Sequence, residues 1–269
     1  MRYVAPAREV VDQRLLERLP LAAWREYAML LEGHAWPSSI DLNACLPDNA
    51  KTRFVTQNHM LLADGLHYEQ RIAERGQIAT RERNWHDLFN ALIWLRYPAI
   101  KQALNAQQVT EIARMGPKVR SRPQCALTHF DEAGVVVSVR DPALLALWDI
   151  HDWYGLFWHR RQAWLDGSIG VEVIGHALLE HALTPDKLLV GKALVVQVAP
   201  EDDAVAMCAT AIADGRLLRD PLELRPLPLS GIPGWHVDND DEGFHRHTAC
   251  YQPLRAGRCY PLPLVKNVS

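Results

Sequence analysis

At three places in this chain titratable residues stand beside strongly apolar patterns, where a plain fold would take leucine or alanine. The first is His86-Asp87 with Asn90. Residues four apart share a helix face, so His86 and Asn90 project together, and Asp87 lies about 100° around from His86. An imidazole, a carboxylate and a carboxamide so placed can hold a divalent cation or move a proton. Equally, Asp87 near a helix N-terminus suits the helix dipole, and Asn90 can tie down a loop. The second place is His176 with Glu180, four residues apart after Gly175. This is the spacing of half a metal-binding helix without the second histidine of HExxH; a hydrogen-bonded pair holding two helices is the alternative. The third is Asp131-Glu132, paired acids suited to a hard cation or a general base, or else to turn chemistry. Arg81, with Arg83, Arg120 and Arg122, offers guanidinium forks for a phosphate or carboxylate, or simply a salt-bridged face. His245, His247 and Cys250 have ligand-like spacing but follow a run of acids that reads as an exposed loop.

The elements that must position these residues are legible in part. Thr80 to Tyr97 is the clearest helix: Thr80 or Asn84 can cap it, and Trp85, Leu88, Phe89, Leu92, Ile93 and Leu95 exceed one apolar stripe. Burial on more than one side follows, and Pro98 should break or kink it. Residues 8–32 read as a helix restarted at Pro20, residues 34–49 as loop, 53–55 as a short strand, and 68–75 as a helix stopped by Gly76. A further helix is expected from Ala106 to Met115. Cys125–Phe130 and Val135–Val139 are β-rich, and Asp131-Glu132-Ala133-Gly134 between them has the residues of a hairpin turn. Pro142 opens a helical region through Trp164, 175–183 reads as helix, 193–198 as strand and 202–214 as helix. From Arg219 onward prolines and glycines dominate.

These patterns predict an α+β fold, predominantly helical with a small, mainly antiparallel sheet. With 269 residues, 48% hydrophobic and 23% charged, the chain can bury a sizeable core. One globular domain over 1–269 is expected, with an N-terminal helical extension (1–50), a core (50–255) and an irregular C-terminal wrap (219–269). A net charge of -3 lacks the basic excess of a nucleic-acid protein, so that partner is not expected. There is no apolar run long enough to span a membrane and no apolar leader, so the cytoplasm is expected. Five widely spaced cysteines without a CxxC argue against a disulfide framework or a thiolate zinc site. GxGxxG, GxxxxGK[ST] and GxSxG are absent, which leaves the common nucleotide folds and the α/β-hydrolase elbow unsupported.

Several strings resemble a bacterial family catalogued as domain of unknown function 3025. They are Tyr68-Glu69, Thr80-Arg81, the run from Asn84 to Asn90, Pro98 with Lys101 and Leu104-Asn105, and Ala126 to Glu132 with Gly134. Gly175 to Glu180, Gly231 to Trp235 with Asn239 and Phe244, and Pro253 complete the set, so the resemblance spans roughly residues 50–255. It implies no activity. His129, His181 and His245-Arg246-His247 depart from the family pattern and are poor candidates for a shared function. The His-Asp dipeptide is also similar to that of HD phosphohydrolases, but His151-Asp152 repeats it and the further ligands that fold needs have no clear place here.

Two functions stay open. One is a hydrolase acting on an anionic small molecule or phosphoester, with His86, Asp87, Asp131 and His176 catalytic in one cleft and Arg81 and Asn90 binding substrate. A divalent metal ion is the cofactor such a site would take, with its ligands unassigned. The other is a non-catalytic binding or scaffolding protein, in which the same residues form a buried polar network and the tryptophans a partner surface. Convergence of the side chains in one open pocket separates the two.

Overall fold

The computed structural model describes residues 3–116 and 120–266. The fold is α+β and predominantly helical, with two small sheets. The N-terminal segment differs from the expected long helix: Arg8–Val10, Gln13–Glu17 and Leu21–Tyr27 are 3-10 turns, and only α1 (Ala28–Leu31) is α-helical. Asp12 caps a fresh turn and Pro20 has no N–H to donate, so no continuous ladder runs through. Leu15, Leu21, Trp24, Leu30 and Leu31 are nevertheless buried. The expected loop at 34–49 contains α2 (Ser39–Ala44), opened by a capping box between Ser38 and Asp41.

Strands β1 (Arg53–Thr56) and β2 (Gln77–Thr80) pair in parallel. The crossover carries α3 (His59–Leu62) and α4 (Tyr68–Arg75). Gly76 closes α4 at φ 63, and a Cβ there would stand 2.5 Å from the Lys51 carbonyl oxygen, so only glycine fits. Next comes α5 (Trp85–Arg96), whose Asn84 cap accepts from the Asp87 N–H. Leu88, Phe89, Leu92 and Ile93 are all buried, as the width of the apolar face predicts. Pro98 marks the break expected there: α5 ends at Arg96 and Tyr97 is non-helical at φ -125. Pro98 then takes the first position of α6 (Pro98–Met115), where its missing N–H leaves no bond unmade.

The expected hairpin at Asp131–Gly134 is absent. Helix α7 (Arg122–Ala133) runs through both acids, and Cys125–Phe130 is helical rather than extended. Ser121 and Gln124 form a capping box, Pro123 lies in the first turn, and Ala126, Leu127 and Phe130 bury one face. An acid pair followed by Ala-Gly serves the end of a helix as well as a turn, and the cap upstream decides between them.

Strand β3 (Gly134–Val139) follows at once and lies inside a four-stranded sheet ordered β4-β3-β5-β6. It pairs antiparallel with β4 (Ile169–Val173), which the sequence pattern did not reveal, and parallel with β5 (Val190–Gln197). The β5 pairing with β6 (Arg225–Pro228) is antiparallel. Val135, Val136, Val137 and Val139 are buried, so both faces of the central strand are covered. The region 142–164 is not one helix but α8 (Pro142–Asp149), a π-helical turn (Gly155–His159) and α9 (Arg161–Leu165). His151 at φ 57 breaks it. After α10 (His176–His181) and α11 (Ala204–Ala213), the C-terminal segment adds β6, α12 (Glu242–His247) and a bridge from Leu264 to Val196. His245 lies in α12 rather than in an exposed loop, and it is buried although Arg246 and His247 beside it are exposed. The His245 Nδ1 lies 2.8 Å from the Tyr251 hydroxyl and its Nε2 2.8 Å from the Asn239 carbonyl, so that imidazole is structural. Among the described residues no helix is long and apolar enough to cross a membrane.

Candidate metal centre

Three helices meet around one polar cleft: α5 near its N-terminus, α7 at its C-terminus and α10 at its start. Glycine makes the closest of these approaches possible. The Gly175 N–H donates to the Gly134 carbonyl at 2.7 Å, and a Cβ at Gly175 would fall 2.5 Å from Ala133 Cα and from the Gly134 nitrogen. Bare backbone therefore lets His176 sit against the turn of α7 that carries Asp131 and Glu132. His86, in the first turn of α5, faces them.

The geometry is close. His86 Nε2 and His176 Nε2 are 2.9 Å apart, and Glu132 Oε2 lies 3.9 Å from the first and 3.7 Å from the second. A triangle with those sides has its equidistant point about 2.1 Å from every corner, inside the range of zinc bonds to imidazole and carboxylate. Two imidazoles and one carboxylate thus present donor atoms to a single point, with the cleft beyond it.

The protonation pattern fits a cation there. His86 Nδ1 lies 3.0 Å from Glu180 Oε2; a carboxylate only accepts, so Nδ1 carries the proton and Nε2 the lone pair. The contact between the two Nε2 atoms then needs the proton of His176 Nε2. That leaves His176 Nδ1 without a proton; among the described residues this buried atom makes no well-formed hydrogen bond, with the Asp131 backbone beside it and Asp131 Oδ2 3.9 Å away. A cation between the Nε2 atoms would move the His176 proton to Nδ1, facing Asp131. It would replace the bond between the two rings with two metal bonds and a carboxylate-backed imidazole. Burial drives the His176 pKa down to about 3 against the opposing charge of Asp131, which holds the ring neutral, as a ligand must be. Burial also opposes charging His86, but Glu180 and Glu132 outweigh it and raise that pKa. Desolvation raises the Glu132 carboxyl, partly offset by His86.

A second ring holds the first. Lys101, 4% exposed, donates to Asp131 Oδ1 and, at 2.9 Å, to Asn90 Oδ1. The Asn90 amide in turn donates to the Tyr68 hydroxyl at 2.9 Å. Burial would raise the Asp131 carboxyl, but Lys101 and His176 outweigh it and bring it below the ordinary value. Glu69 also lines the cleft, with Oε2 accepting from Asn105 Nδ2 at 2.6 Å. The cleft measures ≈ 340 Å³, and its wall further out includes Gln57, Gln108, Arg120 and Thr128.

His86, Asp131, His176 and Asn90 come together here. Asp87 and Arg81 line the same cleft but face each other: the guanidinium grips the carboxylate at 2.7 and 3.1 Å, and the Arg81 N–H adds a bond of 2.6 Å. Arg81 is therefore engaged with Asp87 rather than free toward the cleft, and the His86-Asp87 dipeptide does not act as a ligand pair. Glu180 pairs with His86 and not with His176 on its own helix. Sequence reasoning passed over Lys101 and Glu69 as site residues, paired Glu180 with His176 rather than with His86, and weighed Glu132 between cation ligand and turn chemistry without choosing it for the site. A signal for Lys101 exists: it is a lone cation on a helix face otherwise made by Ile100, Ala103 and Leu104, all buried.

Residues 52–255, which include every residue of this site, match the model of a family described as a protein of unknown function, DUF3025. No curated protein matches the chain, and no solved structure does.

Proposed function

The chain belongs to the DUF3025 family, and from its site we propose that it is a divalent-metal-dependent hydrolase whose metal is held by His86, Glu132 and His176. The observation that carries the reading is the common point about 2.1 Å from three neutral or anionic donors. The buried Nδ1 of His176, which makes no well-formed hydrogen bond among the described residues, is consistent with it.

A metal in this place supplies a Lewis acid and lowers the pKa of a coordinated water. The chain's own residues do the rest. Glu180 fixes the tautomer and orientation of His86, and Asp131, itself held by Lys101, backs His176. A metal held by only these three residues would have room for a water and a small-molecule substrate, and the same residues line the cleft. The walls are rich in amides, hydroxyls and charged groups, which suits a polar substrate, and Arg120 supplies positive charge for an anionic one such as a phosphoester. We place the enzyme in the cytoplasm, as its sequence suggests.

The test begins with metal. Chelator-treated protein is titrated with Zn(II) and Co(II) by calorimetry and by elemental analysis after dialysis. One ion per chain is expected, and none in His86→Ala, Glu132→Ala and His176→Ala. The loaded protein should then hydrolyse p-nitrophenyl acetate or bis(p-nitrophenyl) phosphate, with the same variants inactive. A folded wild-type protein that takes up no divalent metal at millimolar concentration removes the metal reading and leaves the non-catalytic scaffold. Metal without turnover of either ester removes the hydrolase.

A further inference from the structure

One half-buried acid in the cleft has no part in holding the metal. Glu69, on α4, lines the cleft with His86, Glu132 and His176. A buried amide is dedicated to it: Asn105 Nδ2, on α6, donates to Glu69 Oε2 at 2.6 Å and to the carbonyl of the same residue at 2.9 Å. A carboxyl buried for structural reasons ordinarily has a cation as partner. The nearest cation, Lys101, gives its bonds to Asn90 and Asp131 instead. One carboxyl oxygen is thus held by a neutral donor, and the other takes no hydrogen bond from the described residues.

We propose that Glu69 is a catalytic residue, the group that accepts a proton from the attacking water and returns it to the leaving group. The proposal rests on the metal-dependent hydrolase reading. In the step, the water O–H bond breaks and its proton goes to the Glu69 carboxylate. The hydroxide oxygen forms the new bond to the electrophilic centre. The leaving group departs with the electron pair of the broken bond and takes the proton back, so Glu69 ends ionised as it began. Burial, and then the charge of Asp131, push the Glu69 carboxyl up to about 7, against Asn105 and Lys101. Both protonation forms are therefore present at neutral pH, the condition a proton-transfer group needs. The charged and titratable groups that bear on it are His67 and Tyr68 beside it in the chain, Lys101 on α6 and Asp131 on α7, and Arg120, His86, Glu132 and His176 share its cleft.

Co(II) is the probe, because its visible bands report ionisation of a coordinated water without any substrate. If Glu69 serves that water, its ionised carboxylate opposes loss of the water's proton. Glu69→Gln should still bind one Co(II) per chain, with the midpoint of the spectral pH titration lowered by about one unit. Should that variant not fold, Asn105→Ala, which leaves the carboxyl and removes its tether, is expected to move the same midpoint. A variant that binds Co(II) with an unchanged midpoint overturns the role of Glu69 while the metal site stands. A wild-type protein that binds no Co(II) overturns both.

Discussion

Glu69→Gln also makes a prediction about stability that needs no metal and no substrate. In the folded chain the Glu69 carboxyl titrates at about 7, against an ordinary 4.5, and burial is the main cause. An acid with a raised folded pKa binds a proton on folding. Its contribution is fully present below the unfolded value and is lost as pH rises through the folded one. Between the two, wild type loses stability that the glutamine variant, with nothing to ionise, keeps. A shift of 2.5 units at 1.36 kcal/mol per unit corresponds to a penalty of about 3 kcal/mol once both states are ionised. Some of it is already present at about pH 5, so the difference between about pH 5 and about pH 8.5 should be about 2–3 kcal/mol. Urea denaturation of both proteins in chelator reads this, since titrating groups not coupled to Glu69 cancel in the comparison. Glu69→Gln should gain on wild type between pH 5 and 7 and hold that gain above. A stability difference that is flat with pH, or that shrinks as pH rises, refutes the argument that Glu69 is desolvated and uncompensated.

Other perturbations address the supports of the site. Lys101→Met leaves the Asp131 carboxylate without its cation and should cost about 3–5 kcal/mol in denaturant unfolding, whereas adding Asp131→Asn should recover much of the loss; a double variant no more stable than the single one counts against the pairing. Glu180→Gln keeps the shape of its side chain but weakens the support of His86, so metal affinity in the same titration should fall about 10- to 100-fold with little change in melting temperature. Gly175→Ala puts a Cβ 2.5 Å from backbone atoms of Ala133 and Gly134, which cannot move as a side chain tip does. It should lower stability by about 2 kcal/mol or more and weaken metal binding as His176 is pushed from Glu132; wild-type affinity in that variant would show that the close approach does not set the donor geometry.

How much of this was present in the chain itself depends on the range of the interaction. Local chemistry was legible where one residue settles one conformation. Asn84 caps α5, Gly76 ends α4, and the breadth of the apolar face from Trp85 to Leu95 foretold its burial. The same reading misplaced α7, because Asp-Glu-Ala-Gly suits a hairpin tip and a helix terminus alike. The cap at Ser121, ten residues before Asp131, together with the buried face of Ala126, Leu127 and Phe130, chose the helix. That choice reaches the site. On a helix Asp131 and Glu132 diverge by about 100°, so one meets Lys101 and the other turns toward the histidines. His86 and His176 stood out as titratable residues among apolar ones, but nothing local identified their partners. Glu180 lies one helical turn from His176, yet bonds His86 from 94 residues away. The donor triangle joins α5, α7 and α10, and it exists because a glycine without a Cβ lets α10 begin against the end of α7. Residue types and helical periods are short-range properties written along the chain. A set of donor atoms all within 4.8 Å of one another is a property of packing, and only the tertiary structure decides it.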